Sequence, residues 1–241
     1  MKYFLLLCFL LTLGHLPAQP ASGDEEKQFI NAEFSFYTWK ERKVFTRGES
    51  SDAGASEDKL PDIYYLNGQQ WETVKLKKGG FTSAYNYKGP LPVRFYTSIP
   101  TDISIAKPVF TAQFPTLWKE VLFLVKPGNG GQVNAIPVDR SITNLQPGAV
   151  RLYNLGSKPI VYMASDRQQP VKSGGFDQFS IKDLEGYYLN LKIAAEYEGK
   201  PKLAYSSKLA VDKNSRILLL AYQSDPNSPS WQMRTLVIPE I

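Results

Sequence analysis

From residue 29 onward the chain alternates apolar and polar side chains with a period of two, the signature of half-buried β-strands. Phe34-Ser35-Phe36, Ile63 to Leu66, Val74-Lys75-Leu76-Lys77, Val93 to Tyr96, Ile103-Ser104-Ile105, Ile160-Val161-Tyr162, Tyr188 to Ile193 and Leu236-Val237-Ile238 read as strands. Turn sequences separate them: Asn67-Gly68, Pro127 to Gly131, Gly156 to Pro159, Glu198 to Pro201 and Asp225-Pro226-Asn227. Gly and Asn there accept positive φ, and Pro presets the first turn residue. No stretch carries a sustained helical period with caps, so the pattern predicts an all-β protein.

Two runs depart from the alternation. Val121 to Val125 and Ile217 to Tyr222 are apolar on both strand faces. Such a run belongs at the centre of a sheet covered on two sides, and a neighbouring domain is the expected cover for the outward face. The runs are also part of an internal duplication. Lys78-Gly79-Gly80-Phe81 recurs as Ser173-Gly174-Gly175-Phe176, and Glu120 to Val125 recurs as Arg216 to Ala221, two landmarks with nearly one spacing. A looser pair matches Tyr64 to Gly68 with Leu152 to Gly156. The glycines of the repeated element permit a tight bend, after which Phe81 and Phe176 are expected to enter the core.

The repeat divides the chain into two units of the size of an immunoglobulin-like β-sandwich of about seven strands. The expected organisation is a signal peptide over 1–23, a β-sandwich over 24–130, a packed connector over 131–147 and a second β-sandwich over 148–241. Residues 48–59, polar and acidic, read as a mobile insertion in the first sandwich. The signal reading rests on Lys2, the apolar Tyr3 to Leu13 and the small residues Ala21-Ser22-Gly23; the apolar run is short for a bilayer span, so no transmembrane helix is expected in the mature chain.

Composition sharpens the chemistry. The only cysteine, Cys8, and the only histidine, His15, lie in the leading segment and depart with it. The mature chain is then without disulfides, imidazole bases, thiolate nucleophiles and the usual zinc, copper and iron ligands. No cofactor and no metal site is expected. Paired carboxylates could still serve a glycan hydrolase, but Glu33, Glu41, Asp62, Glu72, Asp166 and Glu185 are scattered singly. Ser104-Ile105-Ala106-Lys107 matches a Ser-x-x-Lys motif, yet the strand read there would point Ser104 and Lys107 to opposite faces. The net charge of +5 is too small and too dispersed for a surface that tracks phosphates, so no nucleic acid is expected.

The positive chemical feature is aromatic. Tyr37 with Trp39, and Tyr85 with Tyr87, stand two residues apart on strand faces, a spacing suited first to packing in the core or the domain junction, and also to anchoring a protein partner or stacking on a sugar. The segment Arg151-Leu152-Tyr153-Asn154-Leu155-Gly156-Ser157-Lys158-Pro159-Ile160, followed by Val171-Lys172-Ser173-Gly174-Gly175-Phe176, resembles exported bacterial tandem β-sandwich proteins. That resemblance implies a fold and an envelope location, periplasmic or at the cell surface, and no activity. The expected function is a non-catalytic binding or scaffold module of the bacterial envelope, with another envelope protein as its partner. A carbohydrate-binding protein using Tyr37, Trp39, Tyr85 and Tyr87 is the alternative, and an Asp/Glu-dependent glycan hydrolase the third.

Overall fold

A computed structural model describes residues 29–39, 61–127, 133–223 and 228–239. The leading segment and the acidic insertion, with Glu41, lie outside them. The described chain is all-β, a tandem β-sandwich of sixteen strands in four four-stranded sheets. In the first sandwich these are β1 (Phe29–Thr38), β2 (Ile63–Asn67), β3 (Gln70–Val74), β4 (Tyr85–Pro90), β5 (Val93–Tyr96), β6 (Phe110–Ala112), β7 (Glu120–Pro127) and β8 (Val133–Asp139). The second contains β9 (Ala149–Asn154), β10 (Ile160–Ala164), β11 (Arg167–Val171), β12 (Phe176–Ser180), β13 (Tyr188–Tyr197), β14 (Lys200–Ala210), β15 (Arg216–Tyr222) and β16 (Gln232–Ile238).

The two sandwiches have one topology. Sheet order β4-β1-β7-β8 faces β3-β2-β5-β6 in the first, and β12-β9-β15-β16 faces β11-β10-β13-β14 in the second, each strand number advanced by eight. In both, the first strand runs parallel to the seventh and every other pairing is antiparallel. The doubled Gly-Gly-Phe element is the same turn twice. Gly79 and Gly174 hold positive φ, and the amides of Gly80 and Gly175 donate to the carbonyls of Lys77 and Lys172.

The alternation explains the layering. Phe34 and Phe36 of β1 and Val121, Phe123 and Val125 of β7 face the first core; Val150 and Leu152 of β9 and Ile217, Leu219 and Ala221 of β15 face the second. The opposite faces of these central strands form a third cluster, with Tyr37, Trp39, Leu122 and Leu124 packing with Tyr153, Leu218, Leu220, Leu236 and Ile238. The two sandwiches thus press their central sheets together, which is why β7 and β15 are apolar on both faces.

Several expectations are corrected. Residues 133–139, placed in the connector, pair with β7 over seven positions and complete the first sandwich as its edge strand β8. Pro137 is tolerated because an edge strand leaves some amides without a ladder partner. Ile103-Ser104-Ile105 is an exposed turn, because the Asp102 carboxylate accepts bonds from the Ser104 amide at 2.8 Å and hydroxyl at 2.6 Å and so competes with strand pairing. The looser sequence pair is no structural equivalence, since Tyr64 lies on β2 and Leu152 on β9, whose counterpart is β1. β3 ends at Val74. Phe81 is half-buried against Tyr37, and Phe176 is 51% exposed, covered on one face by Arg151, so neither enters a sandwich core.

Candidate functional site

The four aromatics singled out by the sequence do not make a platform. Tyr37 and Trp39 are 4% and 6% exposed in the seam between the sandwiches, where the Arg234 guanidinium carbon lies 5.5 Å from each ring and Trp39 meets Tyr222 edge-on at 4.6 Å. Tyr87 is buried in the first core, its hydroxyl donating to the Pro90 carbonyl at 2.6 Å, and burial pushes its pKa up to about 12. Tyr85 is half-buried beside Phe34 and Phe36, and its hydroxyl accepts the Lys75 amide at 3.2 Å. A ring stacked on a sugar needs an open face, and the seam and the core occupy those faces.

The carboxylates do not gather either. Glu33 pairs with Arg140, Glu72 is half-buried on β3, and Asp62, Asp166 and Glu185 stand exposed on separate segments. Among the described residues no group of three or more His, Cys, Asp or Glu could hold a metal ion.

The densest polar construction is where the chain crosses from β8 to β9. Asp139, Arg140, Arg151 and Arg216 are all buried there. Arg151 projects from β9 between Ala149 and Tyr153 and donates to the carbonyls of Asp139 (2.7 Å) and Asn144 (2.9 Å) and to Gln178 Oε1 (2.9 Å). Arg216, at the start of β15, donates to the carbonyls of Arg140 (3.0 Å) and Pro239 (2.8 Å). The Asp139 carboxylate accepts from the Ser141 amide at 3.0 Å and from Asn144 Nδ2. Burial lowers the pKa of the Arg140 guanidinium; Glu33 and Glu120 oppose that effect, and Arg216 adds to it. Buried charges are costly unless bonded, and here Arg151 and Arg216 spend four of their five bonds on backbone carbonyls, those of Asp139, Arg140, Asn144 and Pro239.

This bracing fixes residues 140–148 as a shaped loop. Leu145 is fully buried, the Gly148 amide donates to Ser215 O at 2.9 Å, and the Gly148 carbonyl accepts the Ile181 amide at 2.8 Å. Gly148 has φ +79°, and a Cβ there would lie 2.7 Å from both Lys182 Cγ and the Lys213 carbonyl, so glycine is required. Above the loop opens a hollow of about 770 Å³ bounded by Thr143, Gln146, Lys182, Lys213 and Asn214, with Ile142 and Pro147 as its apolar part. A smaller one of about 370 Å³ adjoins it, sharing Thr143, Gln146, Pro147 and Lys182 and reaching Gln178 and Ser180. No acidic side chain lines either hollow. The arrangement offers two ammonium groups, amide and hydroxyl partners and a braced floor.

Sequence reasoning missed this end of the molecule. A signal existed: Arg151 and Arg216 each interrupt or adjoin a run of residues buried on both faces, where a charge must have a structural task. Lys182, Lys213 and Gln146 carry no such mark, because only the fold unites their three loops. No protein-family model matches the chain, and no curated protein matches it in sequence.

Proposed function

We propose that the protein is a non-catalytic binding or scaffold module of the bacterial cell envelope that works through contact with another protein. The carrying observation is the braced crossing loop. Two buried arginines, Arg151 and Arg216, and the buried Asp139 brace an exposed segment, on a double sandwich whose central sheets share a core. Loops presented by a rigid sandwich are a common way to build a recognition surface, because the ordering entropy is already spent before the partner arrives. The envelope location follows from the leading Lys2 and the apolar Tyr3 to Leu13, read as an export signal.

The test is cross-linking of the exported chain in its native envelope, followed by mass spectrometry. The expected result is a stoichiometric partner protein with links at the loops bearing Lys182 and Lys213. Robust turnover of an envelope glycan or peptide, abolished by one carboxylate substitution such as Asp166→Asn or Glu185→Gln, overturns the reading.

A further inference from the structure

Resting on that reading, we infer that the hollow above the crossing loop receives carboxylates of an acidic, extended segment of the partner protein. Lys182 and Lys213 come from different loops, β12–β13 and β14–β15, yet bound one concavity; the carboxylates of the same loops, Asp183, Glu185 and Asp212, lie outside its lining, and Asp212 is engaged by the Asn214 amide and the Ser215 hydroxyl at 3.0 Å each. A cleft lined by one sign of charge focuses the field and attracts the opposite sign. Its volume, about 770 Å³, lies in the range of ligand-binding clefts.

The lining also discriminates among anions. Planar, two-pronged recognition of phosphate favours arginine, and Arg151 and Arg216 beneath the hollow are committed to backbone carbonyls. What faces outward is two lysine point charges with Thr143, Gln146 and Asn214, suited to single carboxylates flanked by peptide groups. No aromatic ring lines the larger hollow, so a sugar would find no stacking face. Ile142, 58% exposed, and Pro147 offer apolar contact to an intervening side chain. Gly148 and the arginine bonds brace the floor, so a bound segment meets preformed partners.

The probe is a fluorescein-labelled octaglutamate peptide, titrated with the full exported chain and read by anisotropy in low salt. An octaglutamine peptide and polygalacturonate serve as competitors. Octaglutamate is expected to bind, octaglutamine not to compete, and binding to weaken steeply with salt. In the K182E/K213E double variant, affinity is expected to fall at least about tenfold, as two attractive charges become repulsive. K200E/K202E makes the same charge change at the far end of β13 and β14 and is expected to bind within about twofold of the parent chain. Circular dichroism melts check that both variants fold. The inference is overturned by no binding, by an equal loss in both variants, by undiminished binding in K182E/K213E, or by polygalacturonate displacing the peptide at lower carboxylate concentration. An envelope partner that still cross-links to K182E/K213E sinks this inference and leaves the module reading standing.

Discussion

Between the sheets of the first sandwich the space is filled by rings. Phe34, Phe36, Tyr65, Phe95, Phe110 and Phe123 meet one another edge-on, tilted or, for Phe95 and Phe110, stacked at 4.4 Å. In the second the same space is mostly aliphatic, Val150, Leu152, Ile160, Leu191, Ile193, Ile217 and Leu219, with Tyr162, Phe179 and Trp231 as its buried rings. The strands differ accordingly: β5 and β6 have four and three residues, whereas β13 and β14 have ten and eleven. Rings bury a large area from few positions, so short strands suffice to close the first core; aliphatic side chains need more positions and longer strands. One strand order accommodates both fillings, so alternation and turns set the topology while core identity is free to drift.

The largest test of that comparison removes equivalent side chains. Phe123 and Leu219 occupy matching positions of β7 and β15, both fully buried. Phe123→Ala is expected to cost about 3–5 kcal/mol and Leu219→Ala about 2–5 kcal/mol. Because the seam cluster couples the sandwiches, each variant is expected to unfold in urea as one transition, followed by fluorescence and far-ultraviolet circular dichroism together. Two separate transitions, with only the mutated sandwich shifted, break the picture of a shared core.

The seam itself distinguishes the repeats at a second pair of positions. Arg216 corresponds to Glu120, the residue before the apolar run in each copy. Arg216 is buried and bonds two carbonyls across the crossing, whereas the Glu120 side chain is half-exposed and its carbonyl accepts the Arg140 amide. Arg216→Met, which keeps the stem but strands those carbonyls, is expected to cost about 2–4 kcal/mol; Glu120→Ala is expected to cost less than about 1 kcal/mol. Equal losses in chemical denaturation deny the crossing its special role.

How far such features were legible depended on whether one strand could report them. The alternation of Tyr188 to Ile193 was readable because one face of β13 is solvated and the other buried. The two-faced runs of β7 and β15 were readable too, and their need for a second cover is met by the seam. Alternation assigns a residue to a face, but it does not say what lies against that face. Tyr37 and Trp39 were therefore legible as a pair on one strand face, suited to packing or to a ligand, while the seam that covers them was not. β8 escaped because Gly128 to Gly131 and Pro137 read as loop chemistry, although an edge strand accepts proline. The hollow above the crossing escaped altogether, since Gln146, Lys182 and Lys213 belong to three loops that only the closed sandwich brings together.

A third contrast is one of charge inside equivalent ties. Tyr65 on β2 and Tyr162 on β10 both send a hydroxyl toward the facing sheet. Tyr65 meets the neutral Asn86 carbonyl at 2.9 Å, while Tyr162 meets the Asp177 carboxylate at 2.5 Å beside Arg167. Burial works to raise the Asp177 pKa, but bonds from Tyr162, Arg167 and the Gln178 amide, with the Arg167 charge, outweigh it and leave it below the ordinary value. A carboxyl depressed on folding stabilises above its unfolded value, about 3.9, and loses that contribution as pH falls through the folded one. Parent chain and Asp177→Asn are therefore expected to differ by about 1 kcal/mol or less at pH 7, the partial exposure screening the pair, and to converge below about pH 4. Parallel stability curves with no convergence would place the acid response elsewhere.

The smallest effect belongs to the hairpin that the first sandwich has in only abbreviated form. Lys202 pairs with Glu198 at 3.1 Å and sits 4.5 Å from the Tyr197 ring, all near the tip joining β13 to β14. Both charged side chains are largely solvated, so the attraction is screened and offset by the rotamer freedom it removes. Lys202→Ala is expected to change stability by less than about 0.5 kcal/mol. The lysine has a second role there, because β14 is an eleven-residue edge strand with Leu203 65% exposed, the kind of edge that pairs with other chains unless charge opposes it. Lys200→Ala with Lys202→Ala is therefore expected to leave the melting temperature almost unmoved while raising light scattering at high protein concentration. The three-residue β6 offers no comparable edge, so the same pair of changes at Lys107 and Lys119 is expected to leave the chain monodisperse; scattering that rises equally in both assigns the effect to net charge instead of to the β14 edge.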